Sequence, residues 1–169
     1  MECSVKILTV KNEMAIFGKD EATVRKFGAG MAIPEFGETS FNEPKPLKHA
    51  KVAIVTTAAL HREGGEGFEL GDNDFHFETL PRDARDLTLG HHSVNFDRGG
   101  FAADINVVYP IDRLQELAEN GTIGEVAENH YAFAGNQSDT VSEIRLDSGP
   151  LCAKEMLNEG VDIVILTGT

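Results

Sequence analysis

The stretch HHSVNFDRGGFAADINVVYPIDRL, residues 91–114, holds the chain's densest set of side chains able to do chemistry. It carries two histidines, three aspartates, two arginines and two asparagines, framed around Gly99 and Gly100. Imidazoles and carboxylates in one long loop can move a proton or hold a cationic amine, and a loop this long and charged is usually functional. Two further histidines, His61 and His130, fall in other segments read as loops at strand ends. A single histidine in a polar loop is more often structural than chemical, so the argument rests on their joint placement. His61, His92 and Asp97 are the candidates for catalysis. Asp97 also joins Asp104 as a candidate for holding a cationic amine. Asn106, His130, Thr56, Thr57, Thr167, Gly168 and Thr169 complete the expected substrate-binding set with Asp104. Asp112 sits in the first turn of a predicted helix, where the helix dipole favours a carboxylate, so a helix-start role explains it equally well.

Other chemistries find less support. His91, His92 and His130 with nearby carboxylates have the donors for zinc or iron. Adjacent histidines do not readily point at one ion, however, and neither HxH nor HExxH occurs, so no metal is expected. There is no GxSxG elbow. The glycines of GAG at 28–30 and of HREGGEG at 61–67 match neither a dinucleotide fingerprint nor a phosphate loop. Cys3 and Cys152 are the sole cysteines, too far apart in sequence for a CxxC pair, and read as reduced thiols. Cys152 is expected in the core.

These candidates gain meaning from the elements that must carry them. KVAIVTT (residues 51–57) and VDIVILT (161–167) are short, apolar, β-branched runs of the kind found in buried parallel strands. YPIDRLQELAENG predicts a helix entered at Pro110 and capped by Gly121. GPLCAKEMLNEG predicts a second, between Pro150 and Gly160. Short strands are expected near Phe75–Glu78, before His91, and within IGEVAENHYAF. The alternation over 47–169 predicts an α/β domain, three-layered, with a mainly parallel sheet and right-handed crossovers. Residues 1–46 read as a small irregular β segment, with strands in VKILTV and MAIFG, followed by an extended Pro/Gly-rich arm. In open α/β sheets ligands bind beyond the carboxyl ends of the strands, which is where Thr56, Thr57, Thr167, Gly168 and Thr169 are placed.

Composition narrows the partners. With 28 acidic and 15 basic residues the formal charge is −13, which argues against nucleic acid or an anionic membrane. No apolar run is long enough for a membrane span, and the N-terminus lacks a signal-peptide pattern. A cytoplasmic protein is expected.

Three segments, VAIVTTAALH, HHSVNFDRGGFAADINVVYPIDRLQELAENGTIGEVAENHYAFAG and GVDIVILTGT, together resemble the selenoprotein B family of glycine, sarcosine, betaine and D-proline reductases. The spacing His92–Asp97–Asp104–Ile105–Asn106–Pro110–Ile111–Asp112–Arg113–Leu114 carries most of the likeness; the first 45 residues match poorly. The resemblance implies a substrate-binding B component that reductively cleaves a C–N bond. It also implies a selenocysteine-x-x-cysteine motif directly after a strand like VILT, hence one position beyond Thr169, so the chain is expected to be truncated before its nucleophile and inactive alone. No cofactor is expected in the chain itself. The implied partners are a pyruvoyl-bearing subunit, a small selenoprotein or thioredoxin-like protein, a small amino-acid substrate and further copies of the chain. Two other readings stay open: a diverged small-amine binding protein of the same fold, and a metal-dependent lyase or hydrolase.

Overall fold

The structure is a computed structural model that describes residues 6–7, 21–30, 42–69, 74–91, 98–135, 137 and 143–168. Its centre is strand β2 (Lys51–Thr56), preceded by β1 (Lys6–Ile7) and helix α1 (Glu21–Gly30). The remaining strands are β3 (Leu60–Arg62), β4 (Phe77–Pro81), β5 (Leu87–Leu89), β6 (Glu125–Val126), β7 (Asn129–Phe133) and β8 (Ile163–Thr167). The remaining helices are α2 (Arg98–Ala103), α3 (Ile111–Glu119) and α4 (Gly149–Glu159).

β2 is paired along both edges, and every partner runs parallel to it. Val52 pairs with both Val126 and Ile163, and Val55 with both Tyr131 and Leu166. β6 and β7 therefore share one side of β2, and β8 occupies the other. β4 joins the far side of β7 in antiparallel register, Phe77 opposite Phe133. A second, small sheet sets β5 between β1 (parallel) and β3 (antiparallel).

The alternation of side chains along β2 feeds two apolar clusters. Val52 and Ile54 pack with Ile105, Val108, Tyr109, Ile111 and Leu114, and Ile163 and Ile165 lie against the same cluster. The other cluster joins Tyr131 and Phe133 to Cys152, with Val55 and Met156 packed against it. Cys152 is a buried core thiol, as its place in the helix pattern predicts. Both helices stop where glycine allows a left-handed turn: Gly121 at φ 75° after α3 and Gly160 at φ 81° after α4.

The α/β class holds; the main sheet is mixed, its three β2 pairings parallel and its β4–β7 pairing antiparallel, and the chain folds back after β2 into the second sheet. That reversal turns at Ala59, a non-glycine residue at φ 51°. Its N–H donates to the Phe133 carbonyl (2.9 Å), and its carbonyl accepts from the Gly90 amide (3.0 Å). Helix α1 was not expected; its Glu, Ala, Arg and Lys residues favour helix over the Gly/Pro-rich arm read there. Of VKILTV, only Lys6 and Ile7 are described, as a strand, and MAIFG lies outside the described residues. No helix among the described residues is long and apolar enough to cross a membrane.

Gly90 makes the reversal testable. A Cβ on it would stand 2.8 Å from the Ala59 carbonyl oxygen, a backbone atom that cannot swing away. Gly90→Ala should lower the unfolding free energy by about 1–3 kcal/mol, read from urea denaturation. An unchanged midpoint would show that the turn relaxes freely.

Candidate functional site

The carboxyl ends of β2, β7 and β8 meet on one rim of the sheet. The Thr57 N–H donates to the Thr167 carbonyl (3.0 Å), tying the ends of β2 and β8 together. Thr167 Oγ1 donates to the carbonyl of Val108 (2.7 Å), so the segment leading into α3 is fastened to the same rim. Gly168 is exposed, and nothing among the described residues lies within 4 Å of where its Cβ would be. Beside the rim, between the sheet and α4, a cavity of about 540 Å³ is lined by Val55, Thr57, Phe133, Cys152, Met156 and Leu166 among others. It is apolar, with Thr57 and Gln137 as its polar side chains. Gln137 donates to the carbonyls of Asp74 (2.7 Å) and Ala134 (2.8 Å).

Thr57, Thr167 and Gly168 are brought together as the strand-end argument expects. Thr56 is not at the surface of this rim; it is fully buried, and its Oγ1 accepts the Ala58 N–H (3.2 Å). Asp104 and Asn106 stand close by but hold one another. Asp104 Oδ1 accepts both the backbone N–H and the side-chain Nδ2 of Asn106 (2.9 Å each). The Asn106 amide continues to Asp112, donating to Oδ2 (3.0 Å) and accepting the Asp112 N–H (3.1 Å). These bonds hold the Asp104 carboxyl below its ordinary pKa, Asn106 first among them, with Arg113 adding charge. The DIN and PID elements thus form a knot at the start of α3, and the Val108 carbonyl that receives Thr167 follows directly from it.

His61 lies elsewhere. Its ring sits under the loop of residues 64–68, where a Cβ on Gly67 would stand 3.0 Å from Nε2. Nδ1 donates to the Ala59 carbonyl (3.2 Å), which leaves Nε2 without a proton in the neutral ring.

His130 is not beyond a strand end, as the sequence suggested, but follows Asn129 at the start of β7. His130 is fully buried, and its Nδ1 accepts the Ile54 N–H (3.0 Å). The cause is a change of register. β6 pairs Val52 with Val126 and β7 pairs Val55 with Tyr131, so two extra residues bulge out between them. The imidazole reaches into that gap and takes the amide that no carbonyl of the bulged segment takes. Burial pushes its pKa down to about 4, with Glu159 opposing and Arg82 adding to the shift. Glu159, at the end of α4, clamps the same bulge by accepting from Asn129 Nδ2 (3.1 Å).

His92, Asp97 and Thr169 lie outside the described residues. Gly135 and His91 belong to the rim although neither was placed in the candidate set. A Cβ on Gly135 would stand 3.0 Å from the Thr57 carbonyl oxygen and 3.3 Å from the buried His91 ring. The glycine directly after the apolar run YAFA was the legible signal of that close approach. Among the described residues no three His, Cys, Asp or Glu side chains are grouped as metal ligands would be.

Residues 20–169 match the sequence profile of the glycine/sarcosine/betaine reductase selenoprotein B family. The chain is 36% identical over 125 residues to the D-proline reductase subunit gamma of Acetoanaerobium sticklandii, covering 73% of this chain and 50% of that one. It is 30% identical over 142 residues to a glycine reductase complex component B subunit gamma of Symbiobacterium thermophilum, covering 81% and 33%. A sarcosine reductase complex component B subunit beta of Peptoclostridium acidaminophilum is 28% identical over 153 residues, covering 85% and 34%. The chain therefore spans half the length of the first relative and about a third of the other two. No solved structure matches.

Two substitutions test the local assignments. Asn106→Ala should cost about 1–2 kcal/mol of stability by opening the knot; no loss in urea denaturation would mean that the aspartates hold α3 without it. His130 makes a pH test. Unfolded, it titrates at its ordinary 6.5; folded, at about 4. The buried neutral ring therefore leaves stability intact above 6.5, and stability falls as pH drops from 6.5 toward 4, by about 3 kcal/mol in all. His130→Asn keeps an acceptor for Ile54 and should flatten that slope; an unchanged slope would move the titration to another group.

Proposed function

Because the chain belongs to the glycine/sarcosine/betaine reductase selenoprotein B family, we propose that its strand-end rim is the substrate-holding part of a reductase that cleaves a C–N bond in a glycine-, sarcosine-, betaine- or D-proline-type substrate. The observation that carries this reading is the double fastening of Thr167, through Thr57 to β2 and through Val108 to the knot before α3. That arrangement holds the end of β8 rigidly while leaving open space at Gly168.

A selenolate, which the resemblance implies after a strand like β8, would supply a nucleophile that stays ionised at neutral pH. The open space at Gly168 suits such a group. Cys152 does not suit the role: burial, reinforced by Glu155, pushes its thiol up to about 12, so it stays protonated in the core. In this reading the rim binds and orients substrate. Thr57 and the backbone of Gly135 and Gly168 face the substrate. Asp104 and Asn106 act by fixing the rim, Asp97 and His92 remain candidates for charge pairing and proton transfer, and His61, held under the loop of residues 64–68, takes no part at the rim. A pyruvoyl-bearing subunit and a small selenoprotein or thioredoxin-like donor are the proposed partners, consistent with the relatives' names as subunits of reductase complexes.

The test is an amide NMR titration of the chain with glycine, sarcosine, betaine and D-proline in turn. At least one should give saturable shifts centred on Thr57, Gly135 and Gly168. Shifts confined to other parts of the molecule, or none with any of the four, would contradict the reading.

A further inference from the structure

Asn120 is the one asparagine in the chain that a glycine follows. The pairing matters chemically, because an asparagine amide carbon can close a five-membered ring on the next backbone nitrogen, and glycine puts no side chain in the way. The fold sets this pair at the C-terminal cap of α3. Asn120, Gly121 and Thr122 are all exposed, and nothing among the described residues lies within 4 Å of where a Cβ on Gly121 would be. Closing the ring therefore meets no packed neighbour.

The intact cap keeps the reacting atoms occupied. The Gly121 N–H donates to the Ala118 carbonyl (3.0 Å), and the Asn120 N–H to the Glu116 carbonyl (3.0 Å). Asn120 Oδ1 accepts both the N–H (3.0 Å) and the hydroxyl of Thr122. The nitrogen thus holds its proton in a helix-end hydrogen bond while the side chain is tethered forward. Exposed bonds at a helix end open far more often than those of the core.

We propose that Asn120 is a site of spontaneous covalent modification, gated by opening of the α3 cap. Once the cap opens, the Gly121 amide gives its proton to solvent base and its nitrogen bonds to Asn120 Cγ. The Cγ–Nδ2 bond breaks, and the side-chain nitrogen leaves as ammonia with a proton taken from water. Water then opens the resulting succinimide at either carbonyl, giving aspartate or isoaspartate. No oxidant or reductant takes part. Either product sets a carboxylate beside Glu119, at the negative end of the α3 dipole. Isoaspartate also lengthens the backbone ahead of Thr122 and Ile123, whose N–H groups both donate to the Leu117 carbonyl (2.9 and 3.2 Å). This inference stands apart from the proposed activity and requires no substrate.

The chain is incubated in mildly alkaline buffer and followed by peptide mapping with mass spectrometry. Residue 120 should convert to a separable aspartate and isoaspartate pair, much more slowly in the folded chain than in denaturant. Thr122→Val keeps the β-branched shape and the backbone donor but loses the hydroxyl. The folded variant should convert about fivefold faster, the change in opening that one ordinary hydrogen bond gives. Asn120→Gln, which would have to close a larger ring, should leave residue 120 unmodified. Equal rates with and without denaturant, or a Thr122→Val rate equal to the parent's, would overturn the gating. A folded chain whose Asn120 stays intact while the denatured chain converts would overturn the site.

Discussion

The burial of β2 between two parallel neighbours governs the rest of the molecule. Val52, Ala53, Ile54 and Thr56 are all buried, so water cannot satisfy their backbone groups and each must find a partner in the protein. β8 supplies those on one side in unbroken register from Val52 to Thr56. β6 and β7 supply the other side with an interruption, and the imidazole of His130 accepts the Ile54 amide at the gap. A side chain has become part of the sheet's ladder. Its neutrality follows from that position, because a protonated ring could no longer accept at Nδ1.

The rim inherits its order from this ladder. Where β2 and β8 end together, Thr167 has its carbonyl held by Thr57 and its hydroxyl held against Val108. The Asp104–Asn106–Asp112 knot stiffens the segment that offers the Val108 carbonyl. Asp104, Asn106 and Asp112 thus contribute by fixing geometry. The chain belongs to the glycine/sarcosine/betaine reductase selenoprotein B family and spans half or less of the length of the relatives it matches.

Much of this was legible in the residues. The apolar β-branched runs at 51–57 and 161–167 announced adjacent parallel strands, of which β2 is buried and β8 only half-buried, and Pro110, Gly121, Pro150 and Gly160 bracketed two helices, because those signals are local and steric. The meeting of Thr57 with Thr167 followed from the strand-end rule. His130 was not legible, since its role depends on a two-residue register shift between β6 and β7 that appears only when both pair with β2. Asp104 and Asn106 looked chemical because an aspartate–asparagine knot and a binding pair use the same side chains; what separates them is Asp112, six residues after Asn106 and in the first turn of α3. The antiparallel course of β4 escaped for a similar reason, as strand direction leaves no period in the sequence.

Native-state hydrogen exchange of the β2 amides tests this account most directly. If His130 completes the ladder, the Ile54 amide should exchange as slowly as its neighbours at 52–56, only through global unfolding, and should remain so at neutral pH. An Ile54 amide that exchanges far faster than those neighbours would contradict it, for β2 would then be breached at its centre and the rim would lack the fixed frame on which the functional reading depends.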